Sequence, residues 1–165
     1  MVAELEAGRP VLVLQNLGAT QLPVWHYAVL IGYDTESNVA LLRSGGDERV
    51  EMRWQRFAGT WHRGGRFAMT TLRPGDIPAH VDRARYMEAA AGLEAAGQRR
   101  AAAEAYDAAI ARWPDEPHAW LGRGNVAYAD GDRQAAADAY LRAIMLAPDD
   151  AAAINNFAEL LLDRL

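Results

Sequence analysis

His26 is the residue in this chain best suited to acid–base chemistry. It stands inside an apolar run, Trp25-His26-Tyr27-Ala28-Val29-Leu30-Ile31-Gly32-Tyr33. There an imidazole must be hydrogen-bonded within the fold or act on a proton, because its charge changes near neutral pH. A histidine base needs a nucleophile to deprotonate, yet the sequence has no cysteine, which excludes a thiolate, a disulfide and a thiolate metal site. His26, His62, His80 and His118 do not pair at ligand spacings, so neither a metal nor a cofactor is expected. Gln15 and Asn16 are conceivable oxyanion donors but read more simply as strand-end and loop polar groups. Asp34 reads as a turn former.

The elements that would position His26 follow from the pattern around it. Pro10 to Gln15 is a short run of branched apolar residues and reads as a buried strand. Val24 to Tyr33 reads as a longer strand, separated from the first by a loop. Val39 to Arg43 returns after a turn at Asp34 to Asn38, and Ser44-Gly45-Gly46-Asp47 turns again. Arg49 to Arg53 alternates apolar with charged side chains, as a half-exposed strand should. Trp54, Phe57, Ala58 and Trp61 fall at helical spacing, and Phe67 to Leu72 reads as the last strand of a four- or five-stranded antiparallel sheet. Arg73 to His80 carries Pro74, Gly75 and Pro78, and the apolar period changes from 2 to 3.6 beyond it. The expected division is therefore 1–76 for a sheet domain and 77–165 for a helical one, an α+β chain.

The second half repeats itself at an offset of 34 residues. Trp120 falls on Tyr86, Gly124 on Ala90, Gly131 on Gly97, Ala136 on Ala102, Tyr140 on Tyr106, Ala143 on Ala109, Ile144 on Ile110 and Pro148 on Pro114. Each unit, 83–116 and 117–150, reads as two helices joined at a glycine, with a terminal helix at 151–165. Small residues mark close helix approach, so Ala102, Ala136, Tyr106 and Tyr140 are expected in the core. The order of aromatic, small and proline positions resembles the tetratricopeptide repeat, an array of helical hairpins that binds protein or peptide ligands. By that resemblance Met87, Ala91, Leu121, Asn125, Tyr128, Asn155 and Asn156 face a concave groove. Gly122, Ala152 and Asn156 stand where some relatives carry the Asn, Lys and Arg that grip a C-terminal carboxylate, and no such clamp is expected.

The first half carries a second resemblance. Gly8 to Val13, then His26 to Asp34, then a strand ending at Ser44-Gly45, then Phe57 to Trp61, is similar to the second half of the papain-like cysteine peptidases that process double-glycine leader peptides. It is most similar to a bacterial branch in which tetratricopeptide repeats follow the peptidase. The resemblance makes His26 the base and puts Ser44 where the acid that orients the imidazole usually stands. The nucleophilic cysteine and its oxyanion glutamine are absent, so this chain is expected to be inactive as a peptidase. His26 is expected near Ser44, on a surface lined by Trp25 and Val24.

Composition narrows the partners. The net charge is −5, and all 17 basic residues are arginine, as in a GC-rich bacterial genome. Residues 1–80 hold 8 acidic and 8 basic side chains and residues 81–165 hold 14 and 9. No basic stripe exists to bind nucleic acid, and no apolar run is long enough to span a bilayer. The start has no export signal, which suggests a cytoplasmic chain, or an envelope or export context if it is part of a longer one. Two readings follow: a non-catalytic peptidase fragment joined to a protein-binding array, or a complete adaptor in which His26 is structural. Phe157, Leu160, Leu161 and Leu165 form an apolar stripe that suggests a homo-dimer.

Overall fold

A computed structural model describes residues 1–162, which form two compact units, Met1–Leu72 and Arg73–Leu165, the latter described as far as Leu162. The first unit is a five-stranded antiparallel sheet in the order β4-β3-β2-β1-β5. Its strands are β1 (Val11–Asn16), β2 (Trp25–Asp34), β3 (Val39–Ser44), β4 (Asp47–Arg53) and β5 (Ala68–Thr70). A short helix, α1 (Val2–Glu6), precedes the sheet, and α2 (Trp54–Arg63) follows β4.

One sheet face is the core. Val11, Val13, Ala28, Leu30, Ala40 and Leu42 pack against Phe57 of α2, which is fully buried. Burying that ring stabilises the unit by about 1.5–3 kcal/mol. Trp54, Phe57 and Trp61 recur along α2 at helical spacing and form a run of ring contacts on the sheet side. Gly45 takes φ 62°, which a type II′ hairpin requires at its first turn position, so β3 and β4 turn on Gly45-Gly46 alone. The strand expected over Phe67 to Leu72 is only three residues long. It pairs with β1 as far as Val11↔Thr70, and the next residue along β1 is Pro10, which has no N–H to continue the ladder.

The second unit contains α3 (Arg83–Ala95), α4 (Arg99–Arg112), α5 (Pro117–Ala129), α6 (Arg133–Leu146) and α7 (Ala151–Leu162). The side chains of Asp82, Asp132 and Asp150 accept hydrogen bonds from the first-turn N–H groups of α3, α6 and α7, and Pro117 opens α5 at the first helical position, where its missing N–H costs nothing. Gly97 and Gly131, at φ 71° and 81°, close the hairpins in the left-handed region. Ile77 and Val81, in the segment before α3, pack on the helical core.

Ala102, Ala136, Tyr106 and Tyr140 are buried as expected. Ala136→Leu should cost about 1–3 kcal/mol by overpacking the α5–α6 hairpin. An unchanged urea midpoint would show that this helix pair has room to spare.

Candidate functional site

In the sheet unit, the long strand β2 brings His26 beside the end of β3. The imidazole Nε2 and the Ser44 Oγ are 2.7 Å apart, with the hydroxyl donating to one neutral tautomer or accepting from the other. Among the described residues no carboxylate lies within ion-pair distance of His26, so a charged orienting group is missing. The half-buried ring faces the same side of the sheet as Gln15, its cross-strand partner.

Strand alternation corrects the expected surroundings of His26. Trp25 is its neighbour in sequence and therefore projects from the opposite face, where it and Tyr27 are exposed. Gln15 and Asn16 are structural, and far more buried than strand-end or loop residues. Gln15 Nε2 donates to Thr60 Oγ1 at 2.6 Å, and Asn16 Oδ1 accepts from the backbone N–H groups of Gly18 and Val24, both at 2.9 Å. Asn16 thus pins the loop that delivers the chain to β2. Asp34 does the same for the next turn, accepting from the N–H groups of Glu36 and Ser37. A hydrogen bond from the Ser37 side chain, and then these backbone bonds, hold its carboxyl below the usual range. No group of three metal-ligating side chains occurs among the described residues.

In the helical unit, α3 and α5 line a groove with a cavity of about 560 Å³. Met87 and Ala91 enter it from α3, and Leu121 and Asn125 from α5, each pair one helical turn apart. Asn156 joins them indirectly, its Nδ2 donating to Asn125 Oδ1 at 2.8 Å. Tyr128 and Asn155 are not among the residues lining this cavity. Tyr128 packs against the cluster around Tyr140 and Leu160, and Asn155 is exposed on α7.

The residue missing from the sequence reading is Glu94, at the floor of the groove. Its Oε2 accepts from the Tyr106 hydroxyl at 2.6 Å and its Oε1 from Asn125 Nδ2 at 3.0 Å. Asn125 Oδ1 in turn accepts from the Tyr140 hydroxyl at 3.1 Å. A carboxylate can only accept, which fixes the amide of Asn125 in this orientation. Glu94 was findable: it lies one repeat length before Tyr128 and continues the Met87–Ala91 face of α3.

This network sets the tyrosines. Burial, then the hydrogen bond and charge of Glu94, push the Tyr106 phenol far above its usual value. Burial and the same charge push Tyr140 up to about 12. Between about pH 10 and 12 an unfolded chain would ionise both while the folded chain keeps them protonated, so stability falls with rising pH across that window. The slope is about 1.4 kcal/mol per pH unit for each tyrosine. Urea unfolding followed across the window should show this fall, and Tyr140→Phe should lessen it. A slope unaltered by that substitution would contradict the assignment.

The chain has no match among curated proteins. Residues 88–153, which lie wholly within the helical unit, match the family model of the tetratricopeptide repeat, and repeats of this kind form protein-interaction modules.

Proposed function

We propose that this chain is a non-catalytic interaction protein whose helical unit holds an extended segment of a partner in the groove between α3 and α5. The observation that carries this reading is the groove itself: apolar walls at Met87, Ala91 and Leu121, with the polar atoms of Glu94 and Asn125 at the floor. Such a mixture suits a peptide, whose side chains need apolar contact and whose polar groups need partners. A photo-crosslinking residue at exposed Ala91 should capture a partner protein in the source cell. The same residue at exposed Asp138 of α6 should not, and equal capture from both positions would overturn the reading.

A second reading, favoured by the 2.7 Å approach of His26 to Ser44, makes the sheet unit a papain-like peptidase scaffold. The sequence offers no thiol for His26 to deprotonate, so the chain alone should not cleave peptides, and cleavage abolished by His26→Ala would refute this. The coding frame upstream of Met1 separates the two readings. A cysteine-bearing segment with a glutamine just before the cysteine supports the peptidase scaffold, and a true start favours an adaptor with a structural His26.

The exposed apolar residues of the last helices support a proposed homo-dimer. The expected stripe is revised by the packing: Leu160 is buried and Phe157 half-buried against the α5–α6 hairpin. Leu165 lies outside the described residues. Ile154, Leu161 and Leu162 on α7 and Met145 on α6 remain exposed. Light scattering after size exclusion should give a dimer that Leu161→Glu converts to monomer; a monomeric parent chain would exclude it.

A further inference from the structure

We propose that the groove selects a cationic side chain, an arginine or lysine of the bound peptide, whose charged end meets Glu94 while its methylene stem lies along Met87, Ala91 and Leu121. The inference rests on the peptide-binding reading of the groove and adds the chemistry of what is bound.

Charge is the first support. The ionisable groups lining the cavity are Glu88, Glu94, Tyr106 and His118. The imidazole of His118 is engaged by Glu116 at 2.8 Å, and both Tyr106 and its neighbour Tyr140 stay neutral well past physiological pH. The cavity therefore presents two carboxylates. A peptide carboxylate would meet like charge, which is a cost that specific sites use to reject ligands.

The state of Glu94 is the second. Among the described residues no arginine lies within ion-pair distance of it, whereas elsewhere in this unit Asp107 pairs with Arg123, Asp130 with Arg99 and Glu104 with Arg100. Its two partners, Tyr106 and Asn125, are neutral donors. They fix the position of both oxygens and leave the charge uncompensated. Each oxygen keeps an acceptor direction free, which matches the paired N–H groups of a guanidinium. Because Glu94 is half-buried, its charge is screened less than that of a surface carboxylate. The stem of arginine or lysine is itself apolar, and Met87, Ala91 and Leu121 provide the wall for it.

The test is selection of random peptides displayed on phage against the full chain at low salt, followed by titration of synthetic peptides from the enriched set. Enriched sequences should carry arginine or lysine. Replacing that arginine by citrulline, which keeps shape and removes charge, should weaken binding about tenfold or more, and so should Glu94→Gln in a chain whose circular dichroism is unchanged. Ala91→Trp, at an exposed position, should block binding by filling the groove. If the enriched peptides are neutral or acidic and Ala91→Trp still blocks them, cation selection is wrong and the groove reading stands. If nothing is enriched over a chain carrying Ala91→Trp, both fall.

Discussion

Gly122→Ala should be among the most damaging single substitutions in the helical unit, costing about 3 kcal/mol, the upper end of what overpacking usually exacts. A Cβ on Gly122 would overlap the Tyr106 ring at Cζ and Cε1 and stand 2.6 Å from Cε2. The ring has nowhere to go: it is 2% exposed, and its hydroxyl is held by Glu94. The gain in helix propensity from losing a glycine, at most about 1 kcal/mol, does not offset this. Urea unfolding monitored by circular dichroism should show a lower midpoint with an unchanged slope. Shortening the ring with Tyr106→Leu should make the double variant less unstable than the sum of the singles. Strict additivity would show that the two positions do not collide.

Asn125→Leu should cost about 2–4 kcal/mol. It deprives Glu94 Oε1 and the Tyr140 hydroxyl of their partners in part-buried surroundings, and a buried polar group left without a partner costs about 1–3 kcal/mol. Asn125→Asp isolates the cause. It keeps the acceptor for Tyr140 but sets a second carboxylate against Glu94, so its penalty at neutral pH should shrink once acid protonates one of the pair. For a unit of this size a loss of that order lowers the melting temperature by about 10 °C or more. A variant as stable as the parent at neutral pH would show that the network contributes nothing.

The helical unit was legible because repetition exposes packing. Tyr106 and Tyr140 match across the offset, and so do the small residues they rest on. The contrast at Glu88, Gly122 and Asn156 shows the limit: these positions are equivalent in the repeat yet carry unlike residues, and at Gly122 the Tyr106 ring leaves no room for a side chain. Glu94 went unread because its role comes from partners on four other helices, Tyr106, Asn125 and, through Asn125, Tyr140 and Asn156.

In the sheet, alternation placed Val11 and Val13 inward and also predicts an inward Gln15, whose need for Thr60 is visible only once α2 is in place. Asn16 read as loop because its work is local backbone bonding, which leaves no periodic trace. The five-residue α1 has no side-chain cap and no buried residue, hence no sequence signal. His26 and Ser44 were linked by resemblance alone, and their contact depends on the register of β2 with β3.

The place of β1 in the sheet has a consequence for synthesis. β1 is made first among the strands but sits between β2 and β5, and β5 is made last. While the ribosome extends the chain, one edge of β1 stays open until Thr70 has emerged, with its backbone groups available to any other extended segment. The helical hairpins, by contrast, close on neighbours a few residues behind them. The sheet should therefore fold later and more slowly than its length suggests, and the interval between β1 and β5 is when a nascent chain most needs protection from mispairing.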